Sequence, residues 1–338
     1  MSDKTKKRID FNKHFKIANI FSTCAIIFCL SIFFLKGLNL GIDFKGGTLI
    51  EIRSESGDIN IKDLRSSISN LDIGDVSVKN FGSKQDFIIK LELSKKKNSE
   101  NVNLIKNKIS SYFNDQVSFR RVENVGPKVS NELINAGILA IALSLSAMLI
   151  YIWIRFEWQF SLAAILALLH DVIFTLGIFS LFSYEINLSI VAAILTIVGY
   201  SMNDTVVIFD RIRENLRKYN HFNIIEISNI SINETLSRTI ITSLTTLLAL
   251  FSIYFVGGEI LRGFSFAMIV GVIIGTFSSI FVATPFLIMV CSFLYLSLFG
   301  CNIRFFAFSC VDSYLYWSNF VLESFTCYSF GKNFSFIN

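Results

Sequence analysis

Two carboxylates stand inside apolar stretches of this sequence, where they are the side chains best placed to do chemistry. Asp204 lies within GYSMNDTVVIFDRIREN, beside Asn203 and before the preceding apolar run has ended. Asp171 follows His170 in the middle of an earlier run. A carboxylate at membrane depth costs about 2.5–3.5 kcal/mol by insertion scales, and a buried amide needs a hydrogen-bond partner. Asp204, Asn203 and Asp171 are therefore candidate functional residues.

Arg238 opens a later apolar stretch, SRTIITSLTTLLAL, in which Thr242, Thr245 and Thr246 recur at helical spacing. This arginine and Asp204 are expected at a similar depth, because one helix ends on the side of the membrane where the next begins. Burial disfavours the charged form of a carboxyl group, whereas a nearby guanidinium favours it. Movement of the arginine relative to Asp204 would let the carboxyl group bind and release a proton, with Asp204 as the carrier. The alternative is a static ion pair that locks two helices together.

His170 and Asp171 are expected not to pair with each other, since adjacent residues on a helix point about 100° apart. They would instead bond to neighbouring helices or serve as a relay. Asp171 and Asp204 also raise the alternative of an aspartyl intramembrane protease, whose carboxyl groups must share a proton at one depth. That alternative is disfavoured, because Asp171 falls about 16 Å into its span and Asp204 about 10 Å from the cytoplasmic boundary. The residues before Asp204 also read Ser-Met-Asn, not Gly-x-Gly.

The composition is that of a polytopic membrane protein. Of 338 residues, 52% are hydrophobic and 17% are charged, with a mean hydropathy of +0.56, whereas soluble domains carry about 25% charged residues. A bilayer span needs about 20 residues, and we predict six spans over 17–38, 132–154, 160–182, 186–209, 238–256 and 264–289. The basic residues of 1–16 and 211–238 predict a cytoplasmic N terminus and a cytoplasmic segment between the fourth and fifth spans.

The sequence lacks the residue patterns that several other functions require. The six cysteines show no CxxC spacing and are expected to be small buried hydrophobes, not disulfides or metal ligands. We find no phosphate-binding loop and no basic patch with interleaved aromatic residues, so neither nucleotide hydrolysis nor nucleic-acid binding is expected. We expect no enzyme activity and no cofactor. Any work would draw on an ion gradient across the membrane.

The polar segment 39–132 predicts one soluble domain between the first and second spans. It begins GIDFKGGTLIEI, in which Gly46-Gly47 is expected to form a tight turn. The periodicity predicts strands over 47–53, 76–81, 87–93 and 117–122, helices over 60–70 and 99–113, and a turn over 82–86. This order is that of a split βαβ, ferredoxin-like α+β domain, which topology places outside the cytoplasm. No catalytic site is recognisable in it, so it is expected to move or to bind something.

The last span and the tail differ in character. Gly263, Gly271, Gly275 and the serines after them predict a small-residue face for close helix packing. The tail over 291–338 is hydrophobic and carries few positive charges, although Lys and Arg are expected after a helix that ends in the cytoplasm. A seventh span, an interfacial hairpin and a tail translated out of frame remain open.

Several long motifs resemble the SecD/SecF family of protein-export subunits, within the resistance–nodulation–division superfamily. These are GIDFKGGT, FEWQFSLAAILALLHDV, GYSMNDTVVIFDRIREN, SRTIITSLTTLLAL and GGEILRGFSFAMIVGVIIGTFSSIF, over roughly residues 17–285. The tail departs from the family pattern. The resemblance implies a subunit of the bacterial inner membrane that pairs with SecD and associates with the SecYEG channel, with YajC and YidC, with membrane lipids and with unfolded preproteins.

The resemblance also implies that the proton motive force drives export, with a carboxylate in the Asn-Asp motif and an arginine at the start of the fifth span taking part. Those residues are Asp204 and Arg238 here. Sodium remains open as the coupling ion. Two other functions also remain open: a small-molecule or lipid exporter of the same superfamily, and a scaffold of the translocon in which Asp204→Asn would be silent.

Overall fold

The structure is a computed structural model, and it describes residues 9–54, 61, 65–66, 68, 76–81, 83–92, 98–112, 117–219 and 223–298. The strands are β1 (Gly47–Ser54), β2 (Val76–Phe81), β3 (Ser83–Glu92) and β4 (Val117–Val125). The first five helices are α1 (Asn12–Lys36), α2 (Ile42–Lys45), α3 (Asn98–Tyr112), α4 (Pro127–Arg155) and α5 (Trp158–Phe182). They are followed by α6 (Leu188–Lys218), α7 (Ile224–Val256), α8 (Gly258–Ser278), a π-turn (Ser279–Ala283) and α9 (Thr284–Leu298).

Six helical segments are long and apolar enough to cross a membrane, as the sequence predicted. They are α1, α4, α5, α6, α7 and the continuous segment formed by α8, the π-turn and α9. The protein is therefore a multi-pass membrane protein. Most of these helices extend beyond the predicted spans. In particular, α6 and α7 continue through most of 211–238, because the sequence around Arg211–Lys218 holds strong helix formers and no Gly or Pro.

The soluble domain contains a four-stranded antiparallel sheet in the order β2-β3-β1-β4. One face buries Ile50, Phe87 and Ile89 against Ile105 and Ile109 of α3. This is the predicted ferredoxin-like arrangement, although most of the predicted helix over 60–70 lies outside the described residues.

The predicted turn over 82–86 is wrong, because β3 already begins at Ser83. Asp86 pairs in register with Arg53 of β1, and its carboxylate lies 3.3 Å from the Arg53 guanidinium. These cross-strand contacts extend the strand into residues whose polarity suggested a turn.

The soluble domain meets the membrane helices at the C-terminal end of α5 and the N-terminal end of α6. Gly41 N donates to Ile186 O at 2.8 Å, and Leu188 N at the start of α6 donates to Asp43 Oδ2 at 2.9 Å. The short helix α2 stands where the sequence predicted only a turn. Gly46 and Gly47 then lead into β1 with φ of 77° and 145°, values that side chains rarely tolerate.

The last membrane segment packs through its small residues, as predicted. A Cβ added at Gly271 would lie 2.3 Å from Ile197 Cγ1, and one at Gly275 would lie 2.9 Å from Ser201 Cβ. α6 and α8 therefore approach too closely for larger side chains at these positions. The helix continues through the π-turn to Leu298, so the first residues of the predicted tail, 291–298, are helical. The rest of that tail, 299–338, lies outside the described residues.

Candidate functional site

Asp204 lies on the buried side of α6, where its side chain is 3% exposed. Its Oδ2 atom is buried and has no hydrogen-bond partner among the described residues. A charged oxygen without a partner in an apolar setting is costly, and this is a marked feature because buried polar atoms are nearly always bonded. The carboxyl group is therefore poised to bind a proton or another partner.

Arg238 lies near the middle of α7 and is exposed on the surface of the chain. Its guanidinium interacts with the Asp204 carboxyl group through charge, but no ion pair of 4.0 Å or less joins them within the described part of the chain. The structure therefore brings the two predicted partners near each other without a static ion pair. Such a separation suits a variable interaction better than a permanent lock.

Asn203 is exposed, unlike the buried Asp204 next to it. On the same side of α6, the Tyr200 hydroxyl donates to Thr246 Oγ1 of α7 at 3.4 Å. Thr242 and Thr246 also donate to the backbone of their own helix, at 3.1 Å and 2.9 Å. Together with Arg238 these side chains form a polar face at membrane depth, which we call the α6–α7 face.

Asp171 is 1% exposed, and both of its carboxylate oxygens have partners. Its Oδ2 accepts hydrogen bonds from Ser201 Oγ at 2.5 Å and from Ser278 Oγ at 2.8 Å. Its Oδ1 lies 3.0 Å from His170 Nδ1. These contacts join α5, α6 and α8.

The expectation that His170 and Asp171 do not pair is wrong. Their Cβ directions diverge, but the side chains are long enough to bend toward each other, and both are buried away from competing water. The two aspartates themselves share no hydrogen bond within the residues described. The shared-proton dyad of an aspartyl protease is therefore not formed.

Ser201 and Ser278 were missed as site residues by the sequence reasoning. Ser201 precedes Asp204 by three residues and therefore lies about one helical turn away on the same side. Ser278 belongs to the small-residue face of the last span. That face was predicted for helix packing, and only the fold shows that the two hydroxyl groups converge on one carboxylate.

A polar network beyond the apolar parts of α6 and α7 holds these two helices together. Arg211 Nε donates to Glu234 Oε2 at 2.7 Å, and Asn215 Nδ2 donates to the same oxygen at 2.8 Å. Asn215 Nδ2 also lies 3.0 Å from Ser231 Oγ. This network fixes the helix ends on one side of the Asp204–Arg238 region.

Comparison with known proteins places the chain among protein-export membrane subunits. Residues 105–292 match the family described as protein export membrane protein SecD/SecF, C-terminal, and residues 31–57 match the SecD/SecF GG motif. The chain is 46% identical to the protein translocase subunit SecF of Rickettsia rickettsii, over 83% of this chain and 91% of the relative. It is 47% identical to that of Rickettsia akari, over 83% and 92%.

The fold is similar to solved structures of SecDF. For the crystal structure of SecDF from Thermus thermophilus, titled a translocon-associated membrane protein, the TM-score is 0.76 at 34% identity over 86% of this chain. A second SecDF structure, described as a super-membrane-facing form, gives a TM-score of 0.65 at 32% identity. The chain spans 40% of the length of either SecDF chain.

Proposed function

The chain belongs to the SecD/SecF family of protein-export membrane proteins, and we propose that it works as an accessory subunit of the Sec protein translocase. In this role it promotes movement of unfolded preproteins across the bacterial inner membrane. The similarity to subunits named SecF, over 83% of this chain, supports this assignment. The basic N-terminal segment supports a cytoplasmic N terminus.

We propose that the proton gradient supplies the energy, and that Asp204 carries the proton. The observation that supports this most is its buried Oδ2, which has no hydrogen-bond partner in the part of the chain that the structure describes. The charge of the Arg238 guanidinium acts on the same carboxyl group. An unpaired carboxylate at membrane depth favours protonation, and an approaching cation favours release. Small movements of α6 against α7 would alternate these two states.

The α6–α7 face supports a second membrane bundle as partner. Asn203 and Arg238 are exposed on this chain, yet polar side chains at membrane depth normally face protein or a water-filled cavity. A related SecD subunit would cover the face and complete the proton path. SecYEG, with YajC and YidC, would then be partners of the assembled pair.

The junction with the soluble domain supports a route from proton binding to export. Asp43 caps the first turn of α6, which carries Asp204 some four turns further on. Lys90 of β3 forms an ion pair with Glu185 in the loop before α6. A shift of α6 would therefore act on the domain, and Gly46–Gly47 would allow it to turn.

The test is preprotein export in vesicles that contain the chain with its SecD partner and SecYEG. Export is measured with the proton gradient intact and collapsed, for the wild type, for Asp204→Asn and for Asp210→Asn as an exposed carboxylate on the same helix. The proposal expects Asp204→Asn to lose the gradient-dependent part of export while the complex still assembles. Full gradient dependence in Asp204→Asn would overturn the proton-carrier role.

A further inference from the structure

The carboxylate of Asp171 is held in a way that fits its charged form. The hydroxyl groups of Ser201 and Ser278 donate to it at 2.5 and 2.8 Å, and the Nδ1 atom of His170 lies 3.0 Å away. All four side chains are at most 3% exposed. Hydrogen bonds of this kind stabilise a negative charge on a carboxylate, so the arrangement suits an acceptor of positive charge beside it.

His170 has one ring nitrogen engaged and one free. Nδ1 faces Asp171, whereas Nε2 is buried without a hydrogen-bond partner in the described part of the chain. If Nδ1 carries the hydrogen donated to the carboxylate, then Nε2 presents a lone pair. It can therefore gain a proton without breaking an existing bond.

We propose that His170 and Asp171 form a second proton-binding site, distinct from Asp204, in which Nε2 takes up the proton and Asp171 stabilises the resulting imidazolium. The proton adds to the Nε2 lone pair, and no covalent bond between heavy atoms changes. The pair thereby alternates between a net charge of −1 and 0. This inference rests on the proposed function, because a proton site at this depth serves a protein that couples a proton gradient to work.

The hydroxyl group of Ser278 can change its hydrogen-bond partner when the charge of the pair changes. Its hydroxyl has two acceptors in reach, Asp171 Oδ2 at 2.8 Å and Gly275 O at 3.2 Å, but can donate fully to only one. An imidazolium competes with the hydroxyl groups for the Asp171 charge, which favours the bond to Gly275. Ser278 directly precedes the π-turn, and such turns occur frequently at functional sites.

The site also contacts the helix of Asp204. Ser201, the other hydroxyl donor, lies about one turn from Asp204 on α6, and Thr205 Oγ1 donates to the Ser201 carbonyl at 3.1 Å. A change in the Asp171 cluster would therefore displace α6 near the proton carrier. The two sites would therefore act on one helix.

Other titratable groups on the helices around α5 bear on this proposal. At membrane depth they are Asp204 and Tyr200 on α6, Cys24 and Cys29 on α1, Tyr151 on α4 and Cys291 on α9. Of the two on α6, Tyr200 is adjacent to Ser201, and Asp204 is the carboxyl group, three residues further on. Its replacement by Asn therefore serves as the reference for any change seen at His170.

The experiment uses the full chain with its SecD partner in lipid vesicles. The sequence has three histidines, so changing His14 and His221 to Gln leaves His170 as a single probe for nitrogen NMR with labelled histidine. The expected result is a ring with Nδ1 protonated that gains a proton on Nε2 when the vesicles are acidified. A ring that keeps one neutral form throughout would overturn the proposal.

A second arm measures gradient-dependent export with His170→Asn, whose amide can still donate to Asp171 but cannot take up a proton. We expect the gradient-dependent part of export to fall at least fivefold, with assembly and gradient-independent export unchanged. Unchanged gradient dependence would overturn the proposal.

Loss of gradient dependence in Asp204→Asn together with an invariant His170 ring would reject the second site alone. A His170 ring that gains its proton while Asp204→Asn exports normally would reject the proposed carrier alone.

Discussion

Three glycines on one helix give a graded test of how closely α8 packs against α6. A Cβ at Gly271 would lie 2.3 Å from Ile197 Cγ1, at Gly275 2.9 Å from Ser201 Cβ, and at Gly263 3.5 Å from Ile190 Cδ1. Ordinary contact begins at 3.4 Å. Alanine is therefore about 1.1 Å too close at Gly271, about 0.5 Å too close at Gly275, and free of strain at Gly263.

The expected costs follow from this geometry. Overpacking a well-packed interior costs about 1–3 kcal/mol, whereas Ala in place of Gly in a helix gains about 0.8–1.0 kcal/mol. Gly271→Ala should lose about 1–2 kcal/mol, because the 1% exposed Ile197 has no space to yield. Gly275→Ala should lose at most about 1 kcal/mol, and Gly263→Ala should be neutral or stabilising.

The assay is thermal unfolding of the purified chain in lipid nanodiscs, with the glycine variants measured side by side. The expected order of midpoints is Gly263→Ala at or above the wild type, then Gly275→Ala, then Gly271→Ala. Gly275→Ala should also reduce gradient-dependent export, because it displaces Ser201 from Asp171. If Gly271→Ala is as stable as Gly263→Ala, the close approach of α6 and α8 is wrong.

Three further predictions concern contacts outside the proton site. Lys90→Glu should weaken the contact between the soluble domain and the membrane helices and speed proteolysis at Gly46–Gly47, and adding Glu185→Lys should restore protection. An unchanged proteolysis rate in Lys90→Glu would show that the ion pair does not stabilise this contact. Asn233→Ala removes two bonds to the Ile9 backbone, of 2.9 and 2.8 Å, each worth about 0.5–1.5 kcal/mol. Exchange of the Ile9 amide hydrogen should then rise about tenfold or more, and an unchanged rate would contradict the contact. Gly177→Val should prevent α1 from docking, because even a Cβ there would lie 2.3 Å from Cys29 Cβ, and normal assembly of this variant would argue against that packing.

Much of the fold could be predicted because the membrane imposes simple rules on the sequence. Runs of apolar residues marked the six spans, and alternation marked the strands of the soluble domain. Helix ends were less predictable, since polar extensions such as Arg211–Lys218 are helical for reasons of propensity and tertiary contact. The π-turn had no sequence signal, because the surrounding residues are mostly apolar or small and show no helical period that an extra residue would visibly shift.

The site was predictable where burial alone identified a residue. Asp204 and Asp171 stood out as carboxylates in apolar runs, and both are buried. Spacing could not show that Asp171 binds serines from two helices, that it also bonds to His170, or that Arg238 stays out of direct contact. Those facts depend on helix rotation and side-chain reach, which a one-dimensional pattern does not specify.

The central claim is that Asp204 is the group on which the proton gradient acts. The most direct measurement is proton flux into vesicles that contain the chain with its SecD partner and SecYEG engaged with a preprotein, followed with a pH-sensitive dye inside the vesicles. We expect Asp204→Asn to abolish the flux that depends on the complex, while Asp210→Asn, at the 54% exposed side chain, retains it. Equal flux through the wild type and Asp204→Asn would contradict the claim.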